Sequence, residues 1–322
     1  GATDVPLMLQ DKRFDHRGEL QYAPGAHDAA HGLYGDQVLV NLTPRPHFDA
    51  ATRYYRLRLL NASNARIYRL AFLHDGAALS FYVIGGDGGL LAHPVTAREL
   101  YLAPAERADL VLDLRAATPG DRIVMASLPV DFTIGPEANG PAGAGRSRSC
   151  EPLDLLQLRV IRKERTPGAL PKALSAMEIV ATNGWPVRRF TVDFRHGLWR
   201  INGATYRMDR TAFTVGRNAR EIWEFSAVGA AMPHPIHVHG CQFRLVGRNP
   251  ASAQALVAAG REDAVAAAER GWKDTALLWP RETLRIALDF SHPFSGDQVY
   301  MLQCHNLEHE SRGMMINFRV AA

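Results

Sequence analysis

Long apolar runs are missing from this chain. No stretch of about eighteen consecutive apolar residues occurs, and no basic-then-apolar segment opens it, so the residues offer neither a membrane span nor a signal peptide. If the protein is exported, its leader has already gone. Cysteine is scarce as well: Cys150, Cys241 and Cys304 are the whole set. An odd number without regular spacing is no disulfide framework, which leaves at least one thiol free or bound to metal. A concentrated basic patch is also absent, because 37 Lys and Arg are interleaved with 33 Asp and Glu for a net charge of +4. That argues against nucleic acid as a partner. Eight methionines, scattered along the chain, are too few for a thioether surface suited to cuprous ion, and core packing explains them better. No internal repeat is visible by identity.

What the chain has in quantity is alternation. Its 322 residues, 47% of them apolar, suffice for two domains with a buried core. Leu57 and Leu59 alternate with Arg56 and Arg58, and Leu110, Leu112 and Leu114 with Val111 and Asp113. The second half continues with Trp223 and Phe225, then Leu284, Ile286, Leu288 and Phe290, then Ile316, Phe318 and Val320. A period of two means strands with one buried face. The breakers Gly85-Gly-Asp-Gly-Gly89 and Thr118-Pro-Gly-Asp121 read as turns rather than phosphate loops, since no helical pattern follows them. Residues 135–148, made largely of Gly, Ala, Pro, Ser and Arg, read as an exposed loop. Residues 251–270 suit a short helix interrupted at Gly260, either a plain surface helix or a cover over a site. The expectation is an all-β protein of two β-sandwich or barrel domains, 1–165 and 191–322, joined by a linker at 166–190.

The chemistry is concentrated in two segments, Met301-Leu-Gln-Cys-His-Asn-Leu-Glu-His-Glu-Ser-Arg-Gly-Met-Met315 and His234-Pro-Ile-His-Val-His239. Side chains alternate across a strand, so Gln303 and His305 point one way and Cys304 the other. His237 and His239 share a face, with His234 set before them by Pro235. Cys304, His309 and Met314 can fold round a turn to bring a thiolate, an imidazole and a thioether to one point. With His234 they make two His, one Cys and an axial Met, the donor set of blue-copper sites. Ordinary core packing is one alternative. Zinc is another, though structural zinc usually takes two or more thiolates and does not call for Met. Cys241 reads as a small buried side chain or a neighbour of copper, and Cys150 as a free thiol or the partner of a cysteine elsewhere.

His234-Pro-Ile-His-Val-His-Gly240 and Cys304-His-Asn-Leu-Glu-His-Glu-Ser-Arg-Gly-Met314 resemble the last cupredoxin domain of multicopper oxidases, the group of bacterial laccases, cuprous oxidases and bilirubin oxidases. Asp4-Val-Pro-Leu-Met-Leu-Gln-Asp11, Gly35-Asp-Gln-Val-Leu-Val-Asn41 and Leu102-Ala-Pro-Ala-Glu-Arg-Ala-Asp109 resemble its middle domain, and Trp199-Arg-Ile-Asn-Gly203 the start of the last. The resemblance covers essentially the whole chain and implies two Greek-key cupredoxin domains. It also implies type 1 copper on His234, Cys304, His309 and Met314, fed with single electrons by a phenolic, pigment or metal-ion donor. His237 would be a type 2 ligand, and His239 and His305 type 3 ligands, of a trinuclear centre reducing dioxygen. The Cys304-His305 peptide would join the centres, and Glu310 would supply protons. A periplasmic or secreted location goes with the family.

Two departures accompany the resemblance. Gln303 stands where the family has a histidine, and an amide is a poor copper ligand beside imidazole. The remaining histidines, His16, His27, His31, His47, His74, His93, His196 and His292, form no further His-x-His pair. Three-domain members carry the other trinuclear ligands in a first domain, so the expectation is a piece of a longer oxidase whose oxygen chemistry needs a partner fragment. A type 1 electron-transfer or copper-binding protein without oxygen reduction is the alternative, and a metal-free cupredoxin scaffold a third.

Overall fold

The computed structural model describes residues 2–130, 151–165, 168–177, 180–228, 232–250, 269–291 and 293–322. The loop expected at 135–148, Cys150, His292 and nearly all of the helix expected at 251–270 lie outside the described residues. Two compact units emerge. The first draws on Gly1–Ala23, Tyr34–Val130 and Gly145–Met177, the second on Pro24–Leu33, Asp131–Ala144 and Glu178–Ala322. Each unit draws on separate stretches of the chain. Pro24–Leu33 clusters with the C-terminal unit because side chains of that unit bond to its backbone, as the site below makes plain.

Each unit pairs two sheets. In the first, Asp4–Phe14 lies between Gln37–Val40 and its parallel partner Tyr54–Asn61, followed by Arg107–Asp113, Phe81–Gly86 and Gly89–Ala97. The other sheet runs Glu99–Leu102, Tyr68–His74, Arg122–Leu128, Leu153–Arg162, His47–Ala51, with the last pair parallel. The second unit repeats this scheme. Val187–Arg195 lies between Leu198–Ile201 and its parallel partner Arg220–Ala227, followed by Glu282–Asp289, Phe243–Pro250 and Trp272–Lys273. Its other sheet runs Thr275–Leu278, His234–Val238, Gln298–Cys304, Met315–Ala321, Thr211–Gly216, again ending in a parallel pair. One topology therefore occurs twice although no repeat is visible in the sequence.

The alternation places the cores as expected. Leu57, Leu59, Leu110 and Leu112 are buried while Arg58 is exposed, and Leu284, Ile286, Leu288 and Phe290 are fully buried. In the second unit Trp223 anchors an aromatic cluster with Phe190, Phe213, Phe225, Phe290 and Phe318. Aromatic pairs of this kind contribute about 0.5–1.5 kcal/mol beyond the area they bury. Both breaker segments are turns: Gly86 pairs with Gly89 across a hairpin, and the Asp121 carboxylate accepts from the Thr118 amide and hydroxyl.

The repeated topology makes one comparison between the units informative. His234–Val238 and Gln298–Cys304 occupy the positions that Tyr68–His74 and Arg122–Leu128 occupy in the first unit. There the buried positions are Tyr68, Leu70, Ala71, Phe72, Ile123, Met125, Ala126 and Ser127. The first unit thus has mostly apolar side chains, and neither histidine nor cysteine, buried in the place where the second gathers both.

Candidate metal centre

The register of two strands sorts the ligands. Ile236 pairs with Cys304, His237 with Gln303 and Val238 with Leu302. Residues opposite each other in an antiparallel pair share a face. Ile236 and Cys304 therefore face the core, His237 and Gln303 the other side, and His234 is in phase with Ile236.

After Cys304 the chain turns instead of continuing as strand. The Asn306 side chain caps a short helix, Leu307–Ser311, by accepting from the His309 amide. Gly313 then adopts φ +99°, a conformation that favours glycine, and a Cβ there would meet Thr205 at 3.0 Å. This loop closes on itself: the Met314 amide donates to the His309 carbonyl, and the Cys304 amide to the Met314 carbonyl, both at 3.0 Å. The side chains of Cys304, His309 and Met314 are all completely buried.

The ligand atoms of His234, Cys304 and His309 lie within 4.8 Å of one another. Cys304 Sγ is 3.8 Å from His234 Nδ1 and 3.5 Å from His309 Nδ1. His309 Nε2 lies 3.3 Å from the Ala30 carbonyl, which can only accept, so Nε2 carries the proton and Nδ1 offers its lone pair. His234 Nε2 is buried without a partner among the described residues. Burial drives the His234 pKa down to about 3 and His309 well below its ordinary value, with His234 adding to the second effect. Burial pushes the Cys304 thiol far up, only partly opposed by the Asn306 backbone amide.

Without metal, these groups are neutral, desolvated and poorly bonded. A cation meeting Sγ and both Nδ1 atoms would stabilise the thiolate and use the idle lone pairs. One thiolate and two imidazoles, with Met314 bonded through its backbone to Cys304 and His309, suit copper better than a structural zinc site. The residues fit the expected metal.

The opposite face gathers the other histidines. The His237 ring centroid is 4.8 Å from that of His239 and 5.4 Å from that of His305. His237 Nδ1 contacts the Asp274 carbonyl at 2.9 Å and Thr275 Oγ1 at 3.0 Å, which leaves Nε2 available as a ligand. His239 and His305 are held below the usual histidine pKa, first by burial and then by His237. Glu310 is half-buried; desolvation raises its pKa while His237 opposes the rise. Gln303 is buried with its Oε1 unpartnered among the described residues. His237, His239, Cys241 and Asp274 help line an open cavity, and the strand leaves it at Gly240. There φ is +72° and a Cβ would fall 2.2 Å from the Tyr300 ring, so glycine is required. Cys241 lines this cavity and also packs against the core, its pKa raised to about 11 by burial and Asp289.

Several contacts around the site are encoded in no residue pattern. The buried Trp199 ring lies 4.1 Å from His309 and 4.9 Å from His234, centroid to centroid, and its Nε1 donates to the Ala29 carbonyl. The Leu33 amide donates to buried Glu308, and Asn306 Nδ2 to the His31 carbonyl. The helix Ala26–His31 is thereby tied over His309. Only its backbone does the bonding to these side chains, which is why residue types gave no hint of it.

Known proteins bear directly on this arrangement. A multicopper oxidase family model matches residues 179–322. The McoA multicopper oxidase of the hyperthermophile Aquifex aeolicus and its 2F4 variant align over all of this chain at 36% identity and TM-score 0.87, with 66% and 67% of their own lengths covered. Cell division protein FtsP of Yersinia pestis is 32% identical over 97% of this chain and 60% of its own length. A laccase of Bacillus subtilis is 30% identical over 97% of this chain and 61% of its own. The chain thus spans about 60% of these two curated relatives. Its all-β fold matches the cupredoxin-type structures of these oxidases, and the chain belongs to the multicopper oxidase family.

Proposed function

We propose that this chain is the electron-accepting part of a copper-dependent oxidoreductase, with His234, Cys304, His309 and Met314 holding type 1 copper. The convergence of Cys304 Sγ with two Nδ1 atoms in a fully buried site carries this reading. Copper bound there supplies one-electron chemistry toward a phenolic, pigment or metal-ion donor. The chain's own residues exclude water from that place, fix the His309 tautomer through Ala30, and seat Trp199 against both imidazoles. Cys304 and His305, adjacent in sequence, address opposite faces and provide the shortest covalent path between them. His237, His239 and His305 are the chain's share of a trinuclear copper centre for dioxygen, with Glu310 holding a proton beside His237. A further fragment carrying a first cupredoxin domain completes that centre, in a periplasmic or secreted protein.

A second reading is an electron-transfer or copper-binding protein without oxygen reduction. Buried Gln303, opposite His237, favours it for this chain taken alone. One relative is named a cell division protein; the third reading, a metal-free cupredoxin scaffold, has no use for a buried thiol between two imidazole lone pairs.

Copper analysis together with visible absorption decides among the three. A content of about one copper per chain with an intense thiolate-to-copper band supports the second reading for the isolated chain, since this donor set is that of a blue site. A higher content with oxygen uptake supports the first. A copper-treated chain that stays colourless with Cys304 reduced removes both and leaves the scaffold.

A further inference from the structure

The helix Ala26–His31 carries a histidine pair that the centre described above does not use. His27 and His31 stand four residues apart, one above the other on a single helix face. Both are exposed, and their rings stack with centroids 4.4 Å apart and planes inclined by 23°. His31 Nδ1 lies 3.1 Å from the His27 carbonyl, so the proton belongs on Nδ1 and Nε2 keeps its lone pair. The His27 ring makes no hydrogen bond among the described residues and is free to turn its own lone pair alongside.

We propose that His27 and His31 bind one first-row transition-metal ion at the surface, and that this ion clamps the Ala26–His31 helix over His309. Two imidazoles one helical turn apart can hold such an ion between them, and imidazole selects zinc, copper or nickel over calcium or magnesium. The helix has only six residues, far below the length at which a helix is stable by itself. Its position depends on a few contacts: Ala30 with His309, Ala29 with Trp199, His31 with Asn306, and Leu33 with Glu308. Unwinding one turn separates the two imidazoles and breaks these contacts together. An ion that needs both rings binds only the wound state and shifts the balance toward it. The clamp acts on the chain's own cover and does not depend on which metal, if any, Cys304 holds.

Zinc titration calorimetry on the full chain tests the site. His27→Ala and His31→Ala should each take up one zinc ion fewer per chain than the unsubstituted protein, while His47→Ala, at another exposed histidine, matches it. Zinc bound among His237, His239 and His305 is common to all four proteins and cancels. Alanine is the better helix former, so neither variant is expected to lose the fold. Hydrogen exchange tests the clamp at the amides of Ala29 and Gly32, which bond to the carbonyls of Gly25 and Asp28. With zinc at roughly ten times its Kd, their exchange should slow roughly tenfold in the unsubstituted chain and not in His27→Ala. Equal zinc uptake in all four proteins overturns the site. Uptake that leaves exchange of these amides unchanged overturns the clamp.

Discussion

Gln303 stands directly across an antiparallel strand pair from His237, its amide oxygen buried and unpartnered among the described residues. An imidazole at that position would share a face with His237 and His305, whereas Cys304 faces the opposite way.

Gln303→His should therefore strengthen the His237, His239 and His305 cluster without touching the thiolate site. Copper affinity of the additional site is expected to rise by at least an order of magnitude, with the visible band of the Cys304 site unchanged. Copper titration followed by electron paramagnetic resonance reads both. A shifted or lost blue band would show that the two faces are not independent.

The division of Cys304 from Gln303 and His305 was legible in the sequence because strand alternation is local and strict. So were the cores, where Leu284, Ile286 and Leu288 repeat every second residue and end fully buried. The helix Ala26–His31 was not legible. It contributes main-chain carbonyls, which every residue has, and it clusters with a unit whose other residues lie far along the chain. Trp199 lies in a segment that resembles a family motif, which says nothing of what its ring touches. Its place against the His234 and His309 rings follows from the packing of Leu198–Ile201 beside the site, a relation that periodicity does not encode. The His27 and His31 pair is hard to read for a related reason: a spacing of four is meaningful only on a helix, and one of six residues is too short to show a hydrophobic period.

The metal-free protein should lose stability as pH falls below about 6.5. Burial holds the folded pKa of His234 at about 3, far below the ordinary 6.5 of an imidazole, and lowers that of His309 as well. The unfolded chain therefore binds protons that the fold refuses. Their contribution is fully present above pH 6.5 and declines toward pH 3, by about 1.4 kcal/mol per pH unit for each histidine that stays neutral. The carboxylates with lowered pKa, such as Asp289, act only near and below their ordinary value of 3.8. Urea unfolding at pH 7, 6 and 5 isolates the histidine window. A flat midpoint across it would contradict the burial of these imidazoles.

Trp199→Phe keeps a ring beside His234 and His309 but removes the donor to the Ala29 carbonyl. The expected loss is about 1 kcal/mol, the typical net worth of one hydrogen bond. Exchange at the Ala29 and Gly32 amides should quicken while the copper band persists. Trp199→Ala should cost about 3–5 kcal/mol, because a buried ring leaves a cavity. Urea unfolding of the three proteins gives the comparison, and equal effects of the two substitutions would mean that the ring contributes nothing beyond its donor.

Glu310→Gln separates proton supply from electron uptake. The side chain is half-buried beside His237, with desolvation raising its pKa and His237 holding the rise in check. Glutamine keeps the shape and removes the ionisable proton. Copper loading and the Cys304 band should be unchanged, because neither depends on a carboxyl at this position. If the proposed first-domain fragment completes an oxidase, its oxygen consumption should fall at least tenfold, a typical contribution of a positioned acid or base being about 100-fold or more. The pH profile supplies the sharper readout. If Glu310 delivers protons, the limb of the profile that it sets should disappear in Glu310→Gln and return, displaced, in Glu310→Asp. An unchanged profile with merely lower turnover would assign Glu310 a structural part and leave the proton path to other residues.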